Sequence, residues 1–296
     1  MRIFLFLTLT AVGTFAVSFM VPGELPYAAL PLLVGCLLAG WVLLRLDGRG
    51  LGAMGFYLAP DVWKELFLGL GLGVAVAAAV VLAMVVYGAL WWSPDAGSAL
   101  EYVRGGAASL WLFSVPAAAE EALMRGYLFQ SLAEAWGGVW ALWVTSFLFG
   151  ILHIGNPNSS WIGLANILVA GLFLGVIYLK TESLWWATGA HLGWNWAHGF
   201  LSDLPVSGLE LVDTPLLEPM TRGPDWLSGG SFGPEGSILS TLVLLGATVV
   251  LWKTTWLRLG DRVRELRPLF LTGEAQSRSP GDGDGAWRNG DLGREK

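Results

Sequence analysis

Apolar runs of near membrane-spanning length tile this chain almost end to end, and few folds can accommodate that. A membrane helix needs about 20 mostly apolar residues. Runs that meet or approach this length stand at about 3–21, 27–45, 65–92, 106–133, 138–156, 161–179, 184–202 and 237–258. Only 14% of the 296 residues are charged, against about a quarter in a soluble domain, so little is available to solvate such helices outside a bilayer. The 17 tryptophans suit membrane–water interfaces. The expected fold is all-α: a polytopic transmembrane helix bundle of about eight spanning helices.

The breaks between runs carry turn chemistry. Pro22, Gly23 and Pro26 separate the first two, and Gly48, Gly50 and Gly52 follow the second. The first run is read as a retained helix rather than a signal peptide, because it approaches full spanning length and another run follows at once. From Gly55 to Leu66, aromatics mix with Asp61, Lys64 and Glu65, the pattern of an interfacial lead-in. With the N-terminus placed in the cytoplasm, 14 of the 17 Lys and Arg residues fall on that side, which satisfies the positive-inside rule. Both termini are then expected in the cytoplasm of a prokaryotic plasma membrane. The chain divides into N-terminal helices with the interfacial segment (1–105), a chemistry-bearing helical core (106–203), an acidic external loop (204–236), a last helix (237–258) and a basic, then disordered, tail (259–296). The one cysteine, Cys36, excludes an internal disulfide and reads as a small apolar residue within a helix.

Ionisable groups in membrane helices are costly, roughly 2.5–3.5 kcal/mol each on insertion scales, and they mark function. Glu120, Glu121 and Arg125 lie in the fourth run, His153 in the fifth, and His191 with Asn195 in the seventh. Glu121 and Arg125 are four apart and share a helix face, so they can pair. Glu120 lies about 100° round the helix and is left to face another element, where it suits general acid–base work. His191 and Asn195 also share a face and can donate hydrogen bonds to a developing oxyanion. His198 is expected to bond between helices, Glu134 to be an interfacial charge at a helix end, and Phe149 to be a packing residue.

These residues resemble the pattern of the CPBP intramembrane proteases, which include the type II CAAX prenyl endopeptidases and bacteriocin-processing proteins. That pattern is Glu-Glu-x-x-x-Arg, then Phe-x-x-x-His, then His-x-x-x-Asn or Asp. It is met by Glu120-Glu121 with Arg125, Phe149 with His153, and His191 with Asn195, across about Leu110 to Phe200. The resemblance implies a membrane endopeptidase in which Glu120 and His153 activate water, His191 and Asn195 stabilise the tetrahedral intermediate, and Glu121 and Arg125 support the site. It leaves open whether a divalent metal such as Zn takes part. A Glu and two His residues are a plausible ligand set, yet no His-Glu-x-x-His helix is present.

The expected partners are the lipid bilayer and a membrane-associated protein or peptide substrate, not nucleic acid. Buried Glu, Arg and His also serve proton-coupled transporters, and a non-catalytic immunity or scaffold protein could keep the cluster for packing. One tension stands. Counted from the predicted cytoplasmic ends, His153 lies about 15 residues in and His191 about 7, a depth gap of roughly 12 Å that must close for a common site.

Overall fold

A computed structural model describes residues 1–258; the tail assigned to 259–296 lies outside them. The chain forms an all-α bundle: α1 (Arg2–Ser18), α2 (Leu30–Leu46), α3 (Val62–Val86), α4 (Ala99–Met124), α5 (Tyr127–Trp136), α6 (Gly138–Leu152), α7 (Trp161–Thr181), α8 (Leu184–Trp196), the single turn α9 (Asp225–Ser228) and α10 (Ile238–Lys253). A two-stranded antiparallel ribbon, β1 (Leu90–Pro94) with β2 (Leu217–Thr221), pairs Leu90 with Thr221. Among the described residues, Leu25–Leu46, Val62–Val86 and Trp161–Thr181 are long and apolar enough to cross a membrane. Helices α1, α6 and α10 are apolar but run 17, 15 and 16 residues. Large apolar side chains such as Phe67, Leu82, Trp143 and Val249 project outward from the bundle, as they do where the solvent is lipid. The chain is an integral membrane protein.

Serine chemistry starts four of these helices. Ser98 and Glu101 form a reciprocal capping box on α4, Ser160 caps α7, Ser183 caps α8 and Ser237 caps α10. Each supplies an acceptor to backbone N–H groups that the first turn leaves unpaired.

Two expectations change. The run 106–133 is not one helix: α4 stops at Met124 and α5 restarts at Tyr127. The break falls at Arg125-Gly126, where the Glu121 carbonyl accepts from both backbone N–H groups. The turn needs glycine there, because a Cβ on Gly126 would collide with the Ala122 carbonyl. The run 65–92 ends as helix at Val86, and its last residues enter the β-ribbon. Segment 204–236, expected as an acidic external loop, supplies β2 and places Glu235 at 5% exposure. Cys36 is buried in α2, as expected.

Helices α3 and α8 pack through facing glycines. A Cβ on Gly69 or Gly73 would strike the Trp186 or Ala190 carbonyl, and one on Gly189 or Gly193 would strike the Leu66 or Leu70 carbonyl. Close backbone approach through small-xxx-small spacing drives helix association in lipid. It also fixes the position of α8, which carries His191.

Candidate active site

The end of α4 is pinned by charge. Arg125 and Glu121 both have side chains at 0% exposure. Arg125 Nη1 donates to Glu121 Oε1 at 3.0 Å, and Nη2 donates to the Gly171 carbonyl of α7 at 3.0 Å. Its guanidinium lies 4.8 Å from the centre of the Phe149 ring on α6, a cation–π contact worth about 2 kcal/mol when desolvated. The ion pair read from the four-residue spacing is therefore present, and it ties α4 to α6 and α7.

Glu121 also reaches α8. His191 Nδ1 and Glu121 Oε1 are 2.9 Å apart. An ionised carboxylate can only accept, so Nδ1 carries the proton and Nε2 is turned the other way. His153 follows the same rule, because its Nδ1 lies 2.7 Å from the Phe149 carbonyl. Both imidazoles thus aim Nε2 inward, and both point at one atom. Glu120 Oε2 is 3.8 Å from His191 Nε2 and 3.9 Å from His153 Nε2. Each gap exceeds a direct hydrogen bond and lies within the span of one bridging water. Glu120 Oε2 has no hydrogen-bond partner within the protein. The Glu120 side chain keeps 32% exposure, against none for its neighbour Glu121, so these adjacent carboxylates differ in reach.

The depth gap between His153 and His191 is closed. The reason lies in where α8 begins. Thr181 to Leu184 are all buried, and Leu184 N–H donates to the Gly55 carbonyl at 3.1 Å. The interfacial segment covers the α7–α8 turn, so α8 starts below the protein surface and its eighth residue, His191, lies deeper than a count from that surface gives.

Glu120, His153, His191 and Asn195 line one cavity of about 390 Å³. Phe149 lines it too and does more than pack: its ring centre lies 4.7 Å from that of His153 and 5.9 Å from that of His191, with Arg125 above it. His198 is fully buried against Trp194, and its imidazole lies against the backbone of Ala77 on α3. Glu134 sits at the end of α5 and pairs with Arg2 at 3.0 Å, consistent with an interfacial charge.

Nothing in the sequence singles out Glu235. It accepts from Trp194 Nε1 at 2.7 Å and from Ser207 N and Oγ at 2.6 Å each. Asn156 Nδ2, three residues past His153, donates to the Ser207 carbonyl at 2.9 Å. The two ends of segment 204–236 are thereby fastened to each other, to α8 and to the end of α6, and Ser207 and Glu235 both line the cavity.

One carboxylate oxygen and two imidazole nitrogens are ligands that zinc accepts. Zinc holds such atoms about 3.3 Å apart, from ligand bonds near 2.0–2.1 Å in a tetrahedron. The separations of 3.8 and 3.9 Å are wider, and among the described residues no group of His, Cys, Asp or Glu is arranged to hold a metal ion. The separations fall between the zinc spacing and the roughly 4.5 Å that separates two groups bridged by one tetrahedral water.

The family model for type II CAAX prenyl endopeptidase Rce1-like proteins matches residues 102–197. That span runs from the first turn of α4 past Asn195 and contains all six residues of the cluster. Searches of curated proteins and of solved structures found no match to the chain.

Proposed function

With residues 102–197 belonging to the CPBP/CAAX protease family, we propose that the chain is an intramembrane endopeptidase that hydrolyses a peptide bond in a membrane-associated protein or peptide. The observation carrying this reading is the convergence of His153 Nε2 and His191 Nε2 on Glu120 Oε2, at 3.9 and 3.8 Å. A water bridging Glu120 and His153 gives up one proton to the carboxylate as its oxygen attacks the peptide carbonyl. His153 Nε2 accepts a hydrogen bond from the water's other hydrogen and aims its lone pair. His191 Nε2 and the Asn195 amide face the developing oxyanion. Because Nδ1 of His191 already donates to Glu121, a donor at Nε2 requires the imidazolium form, with Glu121 as its counter-charge. One oxyanion donor is worth about 10²–10³ in rate. The carbon–nitrogen bond breaks as Glu120 returns its proton to the leaving nitrogen.

The membrane sidedness belongs to the same proposal. Arg2 joins Asp47 and Glu134, gathering the start of α1 and the ends of α2 and α5 on one face. We place that face in the cytoplasm. The core of the domain division, 106–203, carries the chemistry.

The test is direct. Purified protein in liposomes is incubated with an apolar membrane peptide in ¹⁸O-labelled water, and products are read by mass spectrometry. Two new termini with label in the new carboxylate are expected. Intact peptide, together with proton-coupled uptake into the liposomes, would replace the protease with a transporter.

A further inference from the structure

Proline is the least favourable residue in a helix interior, yet Pro116 stands inside α4, one turn before Glu120. Its ring nitrogen carries no hydrogen, so the carbonyl four residues earlier, that of Leu112, loses its helical donor. In membrane helices such freed groups are normally satisfied by neighbouring helices or by Ser and Thr side chains. Neither happens at Leu112. The hydroxyl of the same turn, Ser114 Oγ, donates to the Trp111 carbonyl at 2.9 Å, and among the described residues no backbone N–H from outside α4 donates to Leu112. Leu112, Pro116 and Glu120 follow one another at four-residue steps and so share one face of the helix. All three are partly exposed and line the cavity, while Phe113, Val115, Ala117 and Ala119 between them are buried. The freed carbonyl therefore belongs to the cavity wall. It points at Pro116, about 6 Å along the helix axis before Glu120.

A peptide in this cavity has the matching need. Its main-chain N–H groups leave water and must find acceptors. Much of the wall is apolar, including Leu32, Phe113, Leu174 and Leu211, and the Glu235 carboxylate already accepts from Trp194 and Ser207. We infer that the Leu112 carbonyl accepts a hydrogen bond from a main-chain N–H of the substrate, and that Pro116 is a positioning residue that keeps this acceptor open. At about 3.3 Å per residue of extended chain, the 6 Å to Glu120 places the bonded N–H within two residues of the scissile bond. The contact reads main chain and not side chain, so it holds segments of differing sequence in one register against Glu120. The inference rests on the proteolytic reading above and adds a substrate contact to it.

The experiment uses the purified full chain in liposomes and a set of quenched fluorogenic apolar peptides of one sequence. In each, one main-chain N–H within two residues of the scissile bond, the scissile N–H excepted, is replaced by an ester oxygen. The wild-type protein is expected to lose about three- to tenfold in kcat/KM at one position, the worth of one hydrogen bond. No loss at any position overturns the inference while the protease stands. Cleavage of none of the peptides, the all-amide parent included, overturns the protease reading itself. Pro116→Ala supplies the missing N–H and returns the Leu112 carbonyl to the helix, so the ester-to-amide ratio at that position should rise to about one. The ratio is taken within one preparation, so loss of folded protein does not alter it. Pro116→Val, closer to proline in volume, gives the same reading where the alanine variant does not cleave. Ser114→Ala alters the same turn without adding an N–H and should keep the loss. A loss that persists in Pro116→Ala, or disappears in Ser114→Ala, shows that the Leu112 carbonyl is not the acceptor.

Discussion

His191 Nδ1 stands 2.9 Å from Glu121 Oε1, and that same oxygen accepts from Arg125 Nη1 at 3.0 Å. One buried carboxylate therefore fixes the imidazole of α8 and the guanidinium that clasps α4 to α7. The neighbouring Glu120, turned toward the cavity, is free of both duties. Adjacent residues of one type divide into a structural anchor and a reactive group because they point to different sides of α4.

This division gives opposite expectations for two similar changes. Glu121→Gln leaves Arg125 buried without its counter-charge and should cost about 3–5 kcal/mol of stability. Glu120→Gln removes no hydrogen bond made by Oε2 and should change stability by less than about 1 kcal/mol. Unfolding of both variants in one detergent checks the contrast. Similar losses in the two would remove the anchor role from Glu121.

The glycine seam makes a second contrast. A Cβ on Gly73 collides with the Ala190 carbonyl, whereas one on Gly71, two residues away, meets nothing within 4 Å. Gly73→Ala should force α3 and α8 apart, cost about 1–3 kcal/mol as overpacking does, and lower activity by displacing His191. Gly71→Ala should be neutral or stabilise by up to about 1 kcal/mol, since alanine favours helix. Thermal midpoints of the two variants decide the matter.

Phe149 connects Arg125, His153 and His191 through one ring. Phe149→Leu keeps an apolar group but loses the cation–π contact and both ring contacts. About tenfold lower kcat with little change in KM is expected, because mispositioned catalytic groups weaken transition-state stabilisation rather than binding. A rise in KM alone would make Phe149 part of the substrate-binding wall.

The proposed chemistry activates water with Glu120 and His153 alone. Activity should therefore survive dialysis against 1,10-phenanthroline, and added zinc should not raise it. Loss on chelation, restored by a divalent ion, would show that the three side chains close in around a metal when one is supplied.

The bundle and the identity of the cluster were legible in the sequence because both rest on cost. A bilayer leaves few options for long apolar runs, and buried Glu, Arg and His stand out against them. The Glu121–Arg125 pair followed from a four-residue spacing on one helix. The Glu121–His191 bond did not, because it depends on how α4 crosses α8. That crossing is written in the spacing of Gly69 with Gly73 and of Gly189 with Gly193, a pattern that sequence reading could have used. Glu235 had no such signal. An acidic residue just before an apolar helix reads as solvated, and its burial depends on Trp194 and Ser207, 41 and 28 residues away in the chain. The depth of His191 was obscured for a related reason: counting from a helix end assumes that the end lies at the surface, and the start of α8 is covered.

The most direct test of the proposed chemistry is the rate of peptide cleavage by purified Glu120→Gln. The change is close to isosteric and removes only the capacity to take a proton. If Glu120 is the base, the rate falls by about 10²–10⁴-fold while the thermal midpoint stays at the wild-type value. Cleavage at the wild-type rate by a folded Glu120→Gln protein would contradict it.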